Sequence, residues 1–108
     1  GSIIIDYING KNPDVLRNSA IFNRASLRFP LIIRNRKNGD RMTIKGIKGS
    51  KKLKDIFIDR KVPRQDRDLW PVITDGEGFI IWLPNLKRSS FEGIDSTAEQ
   101  YIQLTYNL

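Results

Sequence analysis

Thirteen of the nineteen Lys and Arg residues lie between Arg34 and Arg67, where only four acids, Asp40, Asp55, Asp59 and Asp66, oppose them. The rest of the chain holds six basic and eight acidic residues, so the formal charge of +7 belongs to one segment. Cations gathered in this way in a small domain are the electrostatic footprint of a surface that binds a polyanion. A solvated basic face is the plainer alternative. Against it stands the company the charges keep: paired glycines, a helix start, and prolines that pin the loops.

Catalysis has less to work with. The chain has no His and no Cys, which removes the commonest general base, the thiolate nucleophile, disulfides and Cys-based metal sites. Asp, Glu, Lys, Ser and Tyr remain. Asp59-Arg60-Lys61 has a carboxylate–x–lysine spacing, and Asp40, Asp66 or Asp68 could add oxygen ligands for Mg²⁺, the outline of a metal-dependent nuclease. Yet Asp55 and Asp59 lie one helical turn apart beside Lys52, the pattern of solvated ion pairs. Gly46-Ile-Lys-Gly49-Ser50-Lys51 is not a nucleotide loop, which needs four residues between its glycines and a Lys-Ser/Thr ending. It also fits a KH-type clamp poorly, because Met42 to Lys45 ahead of it reads as strand rather than helix.

These residues need elements to hold them. Ile3 to Ile8 is β-branched and ends at Asn9-Gly10, a strand and a turn. Lys11 to Asn18, with Pro13 inside, reads as a loop, and Ala20 to Phe22 as a short strand. From Leu27 to Arg34 apolar residues alternate, predicting an edge strand interrupted at Pro30 with Leu27, Phe29, Leu31 and Ile33 as sheet core. Asn38-Gly39 predicts a tight turn, being a dipeptide that can hold positive φ at both positions, and it presents Arg34, Arg36 and Arg41 on flanking strands. Met42 to Ile44 is a further short strand.

The clearest element is a helix with Ser50 as its N-cap and Leu53, Ile56 and Phe57 as its buried stripe. On it, Lys51, Lys54 and Lys61 share one outer flank and Asp55 and Asp59 another. Its N-terminus, placed straight after a glycine–lysine loop, would suit a phosphate. Val62-Pro63 ends it. Arg64 to Arg67 makes one more turn before Trp70-Pro71. Val72 to Thr74, a turn at Asp75-Gly-Glu-Gly78, and Phe79 to Leu83 form a hairpin. Pro84 to Arg88 reads as a loop with two cations, a polar loop runs through Ser96, and Tyr101 to Tyr106 is a last strand. Trp70 and Trp82 read as core. No aromatic alternates with the cations from Arg34 to Lys54, so backbone reading of a folded or double-stranded nucleic acid fits better than single-strand stacking.

The 108 residues predict a single domain, 1–108, with room for a core. Hydrophobic and charged contents of 39% and 29% are those of a globular chain rather than a disordered one. No apolar run approaches about eighteen residues, so no membrane span is expected. Gly1-Ser2 reads as an expression scar on a domain cut from a longer protein, and the expected compartment is the cytoplasm.

RNRKNGDRM at 34–42, KGSKKLKDIFIDRKVPRQDRDLWP at 48–71 and DGEGFIIWLPNLKRS at 75–89 together resemble the C-terminal domain of bacterial tRNA(Ile)-lysidine synthetase. The ordered set G-D-R, K-K-L-K-D and R-D-x-W-P carries the likeness, which runs from about Phe29 onward with a weaker match at Ala20 to Asn23. Asn38 stands where the family often has proline, and Asn85 where it has glycine; asparagine tolerates positive φ. The family's enzyme uses ATP to activate C2 of the wobble cytidine of an isoleucine tRNA and attaches lysine there. The loop of its N-terminal catalytic domain has no counterpart here.

The resemblance therefore implies an accessory domain that engages the acceptor-stem side of tRNA(Ile), with ATP and Mg left to an absent catalytic domain and no cofactor in this one. It implies an α+β fold like that of a phenylalanyl-tRNA synthetase β-subunit domain: a mixed or antiparallel sheet, a β-sandwich-like core and one main helix. The remaining domains of the synthetase are expected partners, and a homodimer of the full-length protein is compatible with it. The phosphate contacts expected are Arg36, Arg41, Lys45, Lys48, Lys51, Lys52 and Lys54, then Arg34, Arg64, Lys87 and Arg88. Asp40 is expected to fix the turn or take an arginine fork. A nuclease and a domain that docks on its own enzyme without touching RNA are the competing readings.

Overall fold

A computed structural model of the chain describes residues 2–9, 18–93 and 98–107. The expected turn at Gly10, most of the Lys11 to Asn18 loop, Gly1 and part of the loop through Ser96 fall outside them. Among the described residues nine strands run in chain order: β1 Ser2–Asn9, β2 Ser19–Asn23, β3 Ile32–Arg34, β4 Arg41–Thr43, β5 Ser50–Lys52, β6 Val72–Thr74, β7 Ile80–Leu83, β8 Lys87–Arg88 and β9 Gln100–Asn107. Helices α1 Leu53–Asp59 and α2 Arg64–Arg67 lie between β5 and β6. The strands make three antiparallel sheets, ordered β1-β9-β2, β3-β6-β7-β8 and β4-β5.

The sheet holding β6 and β7 is apolar on both faces. Val72, Ile80 and Leu83 join a core with Met42, Leu53, Ile56 and Phe57, so α1 and the small β4-β5 sheet cover one face. Ile73, Ile81 and Trp82 join Ala20, Phe22, Ile102 and Leu104, so the β1-β9-β2 sheet covers the other. This is why Ile80 to Leu83 is an unbroken apolar run: a strand covered on both sides has no polar face to show. The turn between β6 and β7 forms around buried Asp75, whose Oδ1 accepts the N–H of Glu77 at 3.0 Å and of Phe79 at 2.9 Å. Gly76 is obligatory beside it, because a Cβ there would lie 2.5 Å from the carbonyl oxygen of Phe29.

Helix α1 buries Leu53, Ile56 and Phe57 as the spacing predicts. Its end is a Schellman closure: the Val62 N–H donates to the Phe57 carbonyl and the Lys61 N–H to the Ile58 carbonyl, both at 3.0 Å. Lys61 takes the left-handed φ of 55° that glycine usually supplies. Apolar contact of Val62 with Phe57 in the same core completes it.

Several expectations need correction. Leu27 to Arg34 is not one strand; only β3 is, after a 3-10 turn at Arg24–Ser26, and Leu27 alone of its alternating set is buried while Phe29 and Ile33 are exposed. Ser50 does not cap α1. It lies in β5, and Lys52 stands at the N-cap without a side-chain cap bond. The pull of β4 on β5, paired from Thr43–Ser50 to Arg41–Lys52, delays the helix past the local signal. Lys51 is thus on a strand and Lys61 beyond the helix, so the flank of three lysines does not exist. Arg34 and Arg41 border the turn on strands of different sheets, and only Gly39, not Asn38, has positive φ. Lys87 and Arg88 are strand β8, paired with Leu83 and Trp82, rather than loop.

Candidate nucleic-acid interface

Asp40 builds the first basic surface. Its Oδ1 and Oδ2 accept a fork from the Arg34 guanidinium at 3.0 and 2.9 Å, and Oδ2 also accepts the Lys37 N–H at 2.7 Å. Its own carbonyl accepts the Leu53 N–H at 3.0 Å, tying the turn to the start of α1. Burial alone would raise this carboxyl; the Arg34 fork, the Lys37 N–H and the charges of Arg34 and Lys37 outweigh it and hold the group below its ordinary 3.8. The fork expected of Asp40 is therefore present.

Around this anchor lies a groove lined by Arg36, Lys37, Lys52, Lys54, Arg64 and Arg67, with Asp40 and Asp68. Three separate segments supply it: the turn, the β5–α1 junction and α2. Arg36 donates from Nε to Asp68 at 2.8 Å with its guanidinium 5.5 Å from the Phe57 ring centre. Arg67 donates from Nε to the Val62 carbonyl at 2.9 Å. Lys37, Lys52, Lys54 and Arg64 hold no ion pair among the described residues. Four cations are thus left for an outside anion.

A second depression is lined by Lys45, Arg60, Lys87 and Arg88. Behind it sits Glu92, whose side chain is 3% exposed; Oε1 lies 3.3 Å from Arg88 Nε and 3.9 Å from Lys45 Nζ. Oε2 accepts the Ile21 N–H at 3.2 Å, but Oε1 makes no hydrogen bond. Burial therefore raises this carboxyl above its ordinary 4.5, against the lowering by Arg88, the Ile21 N–H and Lys45.

Of the sequence candidates, Arg36, Lys52, Lys54 and Arg64 meet in the first groove, and Lys45, Lys87 and Arg88 in the second. The other four line neither. Arg34 is taken up by Asp40. Arg41 reaches across to Ser50, donating to its Oγ at 2.9 Å and its carbonyl at 3.2 Å. Lys51 pairs with Asp59, and Lys48 stands exposed between Gly46 and Gly49, both at φ +81°. Sequence reasoning passed over Lys37, Arg60 and Arg67. They lie in the same basic segment, but only their placement marks them.

The helix start does not serve as the phosphate site expected: β5 separates it from the glycine loop, α1 has seven residues, and its Leu53 N–H is already bonded. The carboxylates do not assemble either. Among the described residues no three Asp or Glu gather as a metal site, and Asp40, Asp59 and Asp68 each face a cation. No helix among them is long and apolar enough to cross a membrane.

Residues 31–104 match the family of the TilS substrate C-terminal domain. The chain belongs to that family. It is 55% identical over 80 residues to a tRNA(Ile)-lysidine synthase of Bacillus licheniformis, covering 74% of this chain and 17% of that protein. It is 54% identical over 86 residues to the tRNA(Ile)-lysidine synthase of Bacillus subtilis, covering 80% of this chain and 18% of the relative. The TilS-type chain thus spans under a fifth of the length of these relatives. A crystal structure of a TilS C-terminal domain superposes with a TM-score of 0.86 at 42% identity, over 97% of this chain and 82% of that one. An N-terminal fragment of the Pyrococcus horikoshii phenylalanyl-tRNA synthetase β subunit superposes with a TM-score of 0.64 at 21% identity, over 81% of this chain and 27% of that one. This second likeness shows a shared fold. The TilS-domain assignment and the α+β architecture with antiparallel sheets agree with the sequence reading.

Proposed function

We propose that this TilS C-terminal domain grips the sugar–phosphate backbone of tRNA(Ile), on its acceptor-stem side, for a lysidine-forming catalytic domain of a cytoplasmic synthase. The observation that carries the reading is the first groove, where cations from three segments face one depression while Lys37, Lys52, Lys54 and Arg64 keep no internal ion pair. Unpaired cations on one surface release counterions when they meet phosphates, which is the main source of affinity in such complexes. Relatives named tRNA(Ile)-lysidine synthase support the choice of RNA. ATP, Mg²⁺ and lysine belong to the catalytic domain in this reading, and the chemistry asked of this chain is positioning.

The test is a titration of the chain with isoleucine tRNA at two salt concentrations. If the four unpaired cations each neutralise a phosphate, the log–log slope should be roughly −3 to −4. Salt-insensitive association with the rest of the enzyme and no RNA affinity would replace this reading with protein docking. Mg²⁺-dependent RNA cleavage would replace it with the nuclease.

A further inference from the structure

Between the two basic surfaces lies a smaller pocket of different character. Asp66, Leu69, Trp70, Pro71, Pro84 and Tyr106 line it, together with Asn85. Leu69 is 76% exposed, the most exposed large hydrophobic residue described, and it joins neither core. Trp70 is held rigidly: its ring meets Phe57 edge-on at 6.2 Å and its Nε1 donates to the Pro84 carbonyl at 3.1 Å. The Asp66 carboxylate holds no ion pair among the described residues. The neighbours of the pocket are cationic on both sides. Asp66 shares α2 with Arg64 and Arg67 of the first groove, and Asn85 also lines the second depression beside Lys87 and Arg88.

We infer that this pocket receives one unstacked nucleobase, laid against Leu69, Trp70 and Pro84, with Asp66 accepting an exocyclic amine or ring N–H. The apolar walls match the faces of a base, the Asp66 carboxylate, with the polar groups of Asn85 and Tyr106 on the same lining, matches donors on its edge, and cations on either side match the two flanking phosphates. An apolar peptide side chain would fit the walls but leave the flanking charges unanswered. The inference rests on the RNA-binding reading above and adds to it a single-stranded nucleotide, which the sequence, with its aromatics apart from its cations, did not suggest.

Trp emission gives a direct readout, since Trp82 is buried and Trp70 is half-buried at the pocket. The chain is titrated with tRNA(Ile), with a four-nucleotide single strand and with a blunt RNA duplex. The expected result is quenching by the tRNA and the single strand but not by the duplex. Leu69→Ala should weaken the first two by about five- to tenfold, leave the salt slope unchanged and leave duplex affinity alone; Asp66→Asn should weaken them in a base-dependent way. Unchanged tRNA affinity in Leu69→Ala, alongside a loss in Lys52→Glu with Lys54→Glu, overturns the pocket and spares the backbone reading. No loss in either variant overturns both. Exposure of Leu69 and Asp66 keeps the fold out of the comparison.

Discussion

Two carboxylates anchor the two basic surfaces, and they do so in opposite ways. Asp40 receives the Arg34 fork and a backbone N–H, and its pKa falls. Glu92 is more deeply enclosed and has cations beside one oxygen, yet that oxygen makes no hydrogen bond and its pKa rises. Proximity of charge is common to both. What separates them is whether directed hydrogen bonds replace the water that burial removes. The first surface is thus preorganised around a satisfied anion; the second carries a carboxylate that burial works against.

The largest effect that would break or sharpen this contrast is on binding. Lys52→Glu with Lys54→Glu should lower tRNA affinity by about a hundredfold and flatten the salt slope by roughly 1.4 to 1.8. The same reversal at Lys87 and Arg88 measures the second surface by the same titration. Equal losses would show that both surfaces hold the ligand; a loss confined to one would assign the grip to it. Lys51 is a poorer choice, being tied to Asp59 outside both surfaces.

Stability separates the anchors next. Asp40→Ala leaves Arg34 half-buried without its fork and the Lys37 N–H without its acceptor, so chemical denaturation should show a loss of about 2–3 kcal/mol. Glu92→Gln should change stability by only about 1 kcal/mol or less, because the neutral amide avoids burying a charge while still accepting the Ile21 N–H. The pH dependences have opposite signs. With its folded pKa lowered, Asp40 contributes stability above its ordinary 3.8 that is lost as pH falls further, and Asp40→Asn should remove that acid sensitivity. With its folded pKa raised, Glu92 favours the fold below its ordinary 4.5 and loses that contribution as pH rises through the raised value. Glu92→Gln should flatten that limb, as read from melts across pH.

The smallest expected change lies apart from both anchors. Lys51→Ala removes an exposed pair with Asp59 and should cost under about 1 kcal/mol. A larger loss would mean that the β5–α1 junction, and not only the Asp40 turn, holds the first groove in shape.

Much of the frame was legible in the residues. The apolar stripe of α1, the β6–β7 hairpin and the pairing role of Asp40 follow from local spacing and turn chemistry, and the motif order named the family. Ser50 misled, because a good N-cap residue was claimed by strand pairing with Thr43, a neighbour the helix signal cannot see. Phe29 and Ile33 misled in the same way: alternation marks a strand with one buried face, but nothing in it says whether another layer arrives to cover that face.

By itself, then, the sequence determined that positive charge would be concentrated and that it would sit on short strands, a turn and a helix of known order. Which cations face an outside anion was decided by contacts across long separations, such as Arg36 with Asp68, 32 residues apart. Charges act through space with no period along the chain. Only the tertiary fold could set Lys37 beside Lys52 and Arg64, withdraw Arg34 and Lys51, and leave Leu69 and Trp70 open between two basic surfaces.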